Sequence, residues 1–244
     1  MNELIYYDLK RSFGLSHSLA NQVSRELGRR VVAGIYAVGE LIEDENALTE
    51  KYQVSRSVVR DAVKILVGKR LLEVRRGIGT RVRPRTEWVL LDDDVLAWHQ
   101  SAPIRMDFLT QLMEIRLIIE PKAARWASER GDNEKIKEIE LAQQRMEKEK
   151  GSIEDFVVAD AQFHQAIFRA ANNEILETME GVIFSALLNS IRVTNKDPRD
   201  NKDSILFHRE VAKAIVQRNA DLAELKMRKL LGDAEKRLNK NIQS

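Results

Sequence analysis

Three residues have the types and the spacing to hold a divalent metal: Asp160, His164 and His208. Asp160 and His164 are four apart, so a helix puts both side chains on one face. His208 lies 44 residues beyond His164, on a later candidate helix. A carboxylate and two imidazoles converging inside a bundle suit a divalent ion. The plainer reading of the same spacing is a buried histidine hydrogen-bonded to an aspartate, with no metal. The trio also matches the two-histidine, one-carboxylate site of non-haem iron enzymes. Against an enzyme, no further acid, base or nucleophile clusters nearby in the sequence. The chain has no cysteine, which excludes a thiolate metal site and a disulfide framework.

A second concentration of chemistry is cationic. Residues 51–86 hold 11 Lys and Arg against two acids, and residues 1–86 carry a net +6 against −4 for the remainder. The overall +2 therefore hides a basic module joined to a mildly acidic one, which points to nucleic acid. With Ser55 as its cap, a helix over 55–69 places Arg56, Ser57, Arg60 and Lys64 on one face. Val58, Ala62, Ile65 and Leu66 fall opposite. Arginine can bond guanine O6 and N7 in bidentate fashion, while Ser and Lys hold phosphates. Arg75, Arg76 and Gly77 then sit at the tip of a candidate hairpin. A solvated basic surface is the ordinary alternative, but the order helix, helix, tight turn, helix, hairpin favours a winged helix-turn-helix in a major groove.

Arg116 is a third candidate. It shares a stripe with Leu112, Ile119 and Ala123, and an arginine on an apolar face must be paired or functional. A salt bridge to Glu120 at i+4 is the structural explanation.

These residues need elements to position them. Ser18 to about Val32 reads as a helix with Leu19, Val23, Leu27 and Val31 at its apolar spacing; a short helix follows from Glu43 to about Tyr52. Beyond Pro84 the pattern is helical to the end, with helices expected over about 92–101, 104–130, 133–149, 153–171, 174–194, 204–218 and 220–241. Pro121 should kink the longest. The fold class is thus mainly α: a winged helix-turn-helix over 1–84, a linker over 85–91, and an all-helical antiparallel bundle over 92–244. Trp88, Trp98 and Trp126 read as core or interface packing, Met106, Met113 and Met146 as core, and His17 and His99 as histidines in polar surroundings. No run approaches the ~20 apolar residues of a membrane span, and the N-terminus lacks a signal-peptide core. A cytoplasmic protein with no membrane partner is expected.

Three stretches of the N-terminal part resemble the winged helix of GntR-type regulators: "GIYAVGEL" at 34–41, "VSRSVVRDAVKIL" at 54–66 and "LLEVRRGIGTRV" at 71–82. "EIRLIIEPKAARWASER" at 114–130, "DAQFHQAIFRAANN" at 160–173 and "FHREVAKAIVQRNADLAELKM" at 207–227 resemble the FadR-type subfamily with its all-helical FCD effector domain. The connector "PRTEWVLLDDDVLAW" is similar to that of the galactonate-operon repressors within the subfamily. The resemblance implies a homodimer on double-stranded DNA carrying a palindromic operator. It implies DNA contacts from Ser55, Arg56, Ser57, Val58, Arg60, Arg76 and Gly77. Where members often carry an arginine in the second helix this chain has Asn46, so that contact is weaker or different.

The resemblance also implies a zinc, nickel or manganese ion on one aspartate and three histidines. The last of these falls 22 residues after His208, at Leu230, which cannot ligate. At most Asp160, His164 and His208 remain as protein ligands. The matching arginine, Arg116, is implied to bind a small carboxylate effector, with Asn189 and Arg192 lining the same cavity. The expected function is a transcription regulator, a repressor relieved by an effector such as a sugar acid. The competing readings are a metal-dependent enzyme using the Asp/His/His site and an architectural DNA-binding protein without effector.

Overall fold

Ser18 accepts a hydrogen bond from the Asn21 N–H and starts helix α1 (Leu19–Val32) in a computed structural model that describes residues 18–194 and 202–242. Asp44 caps α2 (Glu45–Tyr52) through the Ala47 N–H, and Gln53 ends it in the left-handed region at φ 52°. Ser55 then caps α3 (Arg56–Gly68) through the Val58 N–H. Each cap satisfies a backbone donor that the first helical turn would leave unpaired. The buried stripe of α3 is Val59, Ala62, Val63 and Leu66, closing over Leu27, Val31 and Leu48. That stripe differs from the expected one, because Val58 and Ile65 are only half-buried. α3 is apolar at 58, 59, 62, 63, 65, 66 and 67, so packing on α1 and α2 decides which of these turn fully inward.

β1 (Leu72–Arg75) and β2 (Gly79–Val82) form an antiparallel hairpin with Leu72 opposite Val82 and Arg75 opposite Gly79. Leu72 and Val82 anchor its base in the core. Gly77 carries the turn at φ +77°, a conformation that a side chain would strain. Residues 40–42 add a third row, with the Val82 N–H donating to Glu40 O and the Ile42 N–H to Thr80 O. The spacing of apolar residues did not announce that row.

Among the described residues, those up to Pro103 form one compact unit and those from Ile104 another. α4 (Asp93–His99) belongs to the first. The expected boundary, with residues 92–244 in the helical unit, falls earlier in the chain than this one. Trp98, almost fully buried, lies over Gly28 of α1, where an added Cβ would stand 2.3 Å from the indole. His99 is buried too, against the expectation of polar surroundings. Its Nδ1 lies 2.7 Å from Val95 O and its Nε2 3.3 Å from Arg85.

The second unit contains α5 (Met106–Arg130), α6 (Asn133–Lys148), α7 (Ile153–Ala170), α8 (Glu174–Glu177), α9 (Glu180–Thr194), α10 (Lys202–Val216) and α11 (Ala220–Ile242). α5 runs on through Pro121. The single helix expected over 174–194 divides at Thr178–Met179 into α8 and α9. α11 packs along α5 and α10, α6 lies on α7, and α9 touches both α5 and α7. Met113, Phe163, Ile167, Ile183, Val211, Ile215, Met227 and Leu231 are among the residues filling the space between them. Burying each large apolar side chain stabilises the bundle by roughly 1.5–3 kcal/mol. No described helix is long and apolar enough to cross a membrane.

Candidate functional site

The N-terminal unit presents a cationic face built by α3 and the hairpin. Ser55, Arg56, Ser57, Arg60 and Lys64 are all exposed, and Val58 beside them is half-buried. Ser55 Oγ and Ser57 Oγ are 2.9 Å apart. Lys64 pairs with Asp61 one turn back at 3.0 Å. Arg60 is held differently. Its Nε lies 2.9 Å and 3.0 Å from the two carboxylate oxygens of Glu45, the first residue of α2. Asn46, next to Glu45, is exposed on the same short helix. At the hairpin tip Arg75, Arg76 and Gly77 are exposed, with Arg75 Nε 3.3 Å from Glu73. Glu45 lies outside the set of residues expected at this face.

The second constellation is a row of five ionisable residues on three helices, four of them buried and Asp160 half-buried. Arg116 and Glu120 lie one turn apart on α5, both buried, with Arg116 Nε donating to Glu120 Oε1. The other oxygen, Glu120 Oε2, stands 2.5 Å from His164 Nδ1 on α7, poorly aligned for a hydrogen bond, so the contact is mainly ionic. His164 Nε2 lies 3.4 Å from Asp160 Oδ1, and His208 Nε2 of α10 lies 3.0 Å from the same oxygen. His208 Nδ1 faces Ser204 O at 2.7 Å. Phe163 meets both imidazoles edge-on, with centroids 5.5 Å and 5.3 Å away, and closes one side.

These contacts set the protonation states. A carbonyl oxygen only accepts, so His208 Nδ1 carries a hydrogen toward Ser204 O, which leaves Nε2 as the ring nitrogen that faces Asp160. The Glu120 carboxylate favours a hydrogen on His164 Nδ1 through its charge. Burial opposes charge on His164, yet Glu120 and Asp160 against its two nitrogens raise its pKa above the ordinary histidine range. Burial likewise works against Glu120 as an anion, but Arg116 and His164 hold it well below the usual carboxylate range. Asp160 is depressed despite burial by His208 and His164.

Both imidazoles thus direct Nε2 at one carboxylate oxygen while their Nδ1 atoms are occupied, the outer-shell pattern that orients metal-ligating histidines. One ligand atom from each of Asp160, His164 and His208 lies within 4.8 Å of the others, and this donor set fits a borderline divalent ion. Leu230 is buried in the apolar core and offers no fourth ligand. Arg116 has the partner that the ion-pair reading named. Glu120, its counterion, also faces His164, a contact that the i+4 spacing does not show. Asn189 is buried on α9 and donates to Ser185 O at 2.9 Å. The side chain of Arg192 lies outside the described residues.

Comparison with known proteins agrees with this two-part organisation. The family of bacterial regulatory proteins, gntR family, matches residues 19–82, and the FCD domain matches residues 111–233. The chain is 29% identical to the galactonate operon transcriptional repressor of Escherichia coli K12, over 87% of this chain and 93% of that protein. It is 24% identical to the Glc operon transcriptional activator of the same strain, over 89% and 87%. The fold is similar to that of a solved structure of Lar, described as controlling the Listeria monocytogenes agr system. That match has a TM-score of 0.67 and 16% identity, and it covers 93% of this chain and 99% of that one. The winged helix, the helical unit and these matches agree: the chain belongs to the gntR family of bacterial regulatory proteins, carries an FCD domain, and is a DNA-binding transcription regulator rather than an enzyme.

Proposed function

We propose that this chain is a homodimeric cytoplasmic repressor that leaves a palindromic DNA site when a small carboxylate of the sugar-acid class binds its helical unit. The observation that carries the reading is the charge of the row Arg116, Glu120, His164, Asp160 and His208. Without a metal, His164 between Glu120 and Asp160 holds a proton, and together with Arg116 it balances the two carboxylates. A divalent ion on Asp160, His164 and His208 would displace that proton and leave the row with a single positive charge. A carboxylate then brings the site to neutrality.

With three protein ligands, a bound zinc, nickel or manganese supplies exchangeable positions for oxygen donors. The protein's own part is to orient the ligands. Glu120 and Ser204 fix the two imidazoles, and Arg116 offers the nitrogens that Glu120 does not take to an effector carboxylate. Asn189 and Arg192, on α9 beside α5 and α7, are the further residues we assign to the effector. The names of relatives that regulate galactonate and Glc operons support a hydroxylated acid as ligand.

On the DNA side, Arg56, Arg60 and Arg76 contact bases or phosphates, with Asn46, Ser55, Ser57, Val58, Lys64, Arg75 and Gly77 around them. Two copies at fixed spacing are what a helix-turn-helix needs to read a palindrome. The effector must bind the free and DNA-bound states unequally, and a coupling of ~1–3 kcal/mol suffices for induction. Calorimetry with a panel of aldonic and other hydroxy acids, on metal-loaded and metal-stripped protein, tests the reading. One acid should bind once per chain, more tightly in the loaded protein. A panel without a binder contradicts it.

A further inference from the structure

The Arg60–Glu45 pair joins two elements with separate roles in the winged helix. Glu45 is held in place independently of Arg60, because Asp44 caps α2 through the Ala47 N–H immediately beside it. In the first turn of α2 its charge also faces the favourable end of the helix dipole. From there the carboxylate reaches across to α3 and takes the Nε edge of Arg60 with both oxygens, at 2.9 Å and 3.0 Å. Both side chains remain exposed, at 60% for Arg60 and 45% for Glu45. An exposed pair of this kind contributes little to stability, so stability does not explain it.

Geometry supplies a different use. A guanidinium has five N–H donors in a rigid fork, and the Nε edge is the one nearest the chain. A carboxylate on that edge leaves the outer nitrogens pointing away from the protein. Those are the donors that reach guanine O6 and N7 end-on. It also removes the rotamer freedom that an exposed arginine would otherwise lose on binding. The same negative charge repels phosphate, so it lowers affinity for DNA that offers Arg60 only its backbone.

We infer that Glu45 is the positioning residue that makes Arg60 a base reader: it aims the guanidinium end-on at a guanine and penalises its use on phosphate. Specificity at one base pair of each half-site is thereby set from α2, by a residue that itself touches no base.

The test uses the full-length protein and a duplex selected by the wild type from a random-sequence pool. Variants of that duplex, each with one base pair replaced, and an unrelated duplex complete the set, all at one salt concentration. Glu45→Gln keeps the length and one acceptor but removes the charge. We expect its ratio of selected to unrelated affinity to fall about tenfold. The loss should be concentrated at one base pair per half-site, with binding to the unrelated duplex unchanged or tighter. Glu45→Asp, too short to span the gap, should behave alike. In an Arg60→Ala background Glu45→Gln should have no effect at that base pair, a coupling that a merely structural role would not produce. An equal change on all duplexes would show that Glu45 acts only through net charge and would overturn the inference. So would a loss that persists without Arg60, or no change at all. A wild type that selects no preferred sequence would overturn it as well.

Discussion

Glu120 Oε2 stands 2.5 Å from His164 Nδ1, so the anion that neutralises Arg116 also orients an imidazole of the Asp160–His164–His208 cluster. One carboxylate thereby links an arginine suited to an effector with a triad suited to a metal.

The first consequence is for metal affinity. Glu120→Gln keeps an amide oxygen near His164 but removes the charge behind its Nδ1. Loss of such an outer-shell partner typically costs 10–100-fold in affinity. A zinc titration against a competing chelator should show a loss of about that size, and His208→Ala should show a greater one. Equal affinities in Glu120→Gln and wild type would separate Glu120 from the metal site.

Arg116 is both buried and paired, so its truncation has two effects. Arg116→Ala leaves Glu120 without its main counterion and should destabilise the helical unit by about 3–5 kcal/mol. Urea unfolding checks this. Arg116→Lys retains the charge but not the planar fork. It should keep more of the stability while losing the effector response, because a point charge cannot grip a carboxylate in parallel. An Arg116→Lys protein that responds fully to effector would remove Arg116 as an anchor.

The N-terminal unit has a pH signature of its own. Burial raises the Glu43 carboxyl, but hydrogen bonds from Lys51 and Tyr36 outweigh it and bring the pKa to about 2. A depressed folded-state pKa contributes stability that is present above the ordinary value of 4.5 and fades as pH falls toward 2. The difference in melting temperature between wild type and Glu43→Gln should therefore be largest near neutral pH and shrink below about 4.5. A difference that does not vary with pH would mean that Glu43 carries no such linkage.

Gly28→Ala tests the seat of α4. The new Cβ would meet the Trp98 ring at 2.3 Å, and Trp98 is too enclosed to yield freely. Overpacking of this sort costs typically ~1–3 kcal/mol. The expected result is a lower melting temperature with a shifted Trp98 emission. An unchanged melt would show that the indole can move aside.

Much of this was readable in the residues themselves. Ser18 and Ser55 announced helix starts that the structure realises as caps, and the Asp160–His164 interval foretold a shared face. What escaped had tertiary causes. Gly28 looks like an ordinary helical residue until Trp98 lies on it, so no local pattern assigned α4 to the N-terminal unit. The pairing of Arg116 with Glu120 was legible as an i+4 interval, but not that both are buried against His164, which is 44 residues beyond Glu120. Glu45 went unnoticed because its partner Arg60 lies on a different helix. The division at Thr178–Met179 was hidden by apolar residues that continue a helical period on both sides.

The central claim is that a carboxylate effector bound at the Arg116–Glu120–His164 row controls DNA release. Fluorescence anisotropy of a labelled selected duplex, bound by metal-loaded protein and titrated with the acid found by calorimetry, tests it most directly. Wild type should release the duplex at a stoichiometry of one acid per chain, whereas Arg116→Lys and His164→Ala proteins that bind the duplex normally should hold it. Release by both variants at wild-type acid concentrations would contradict the account.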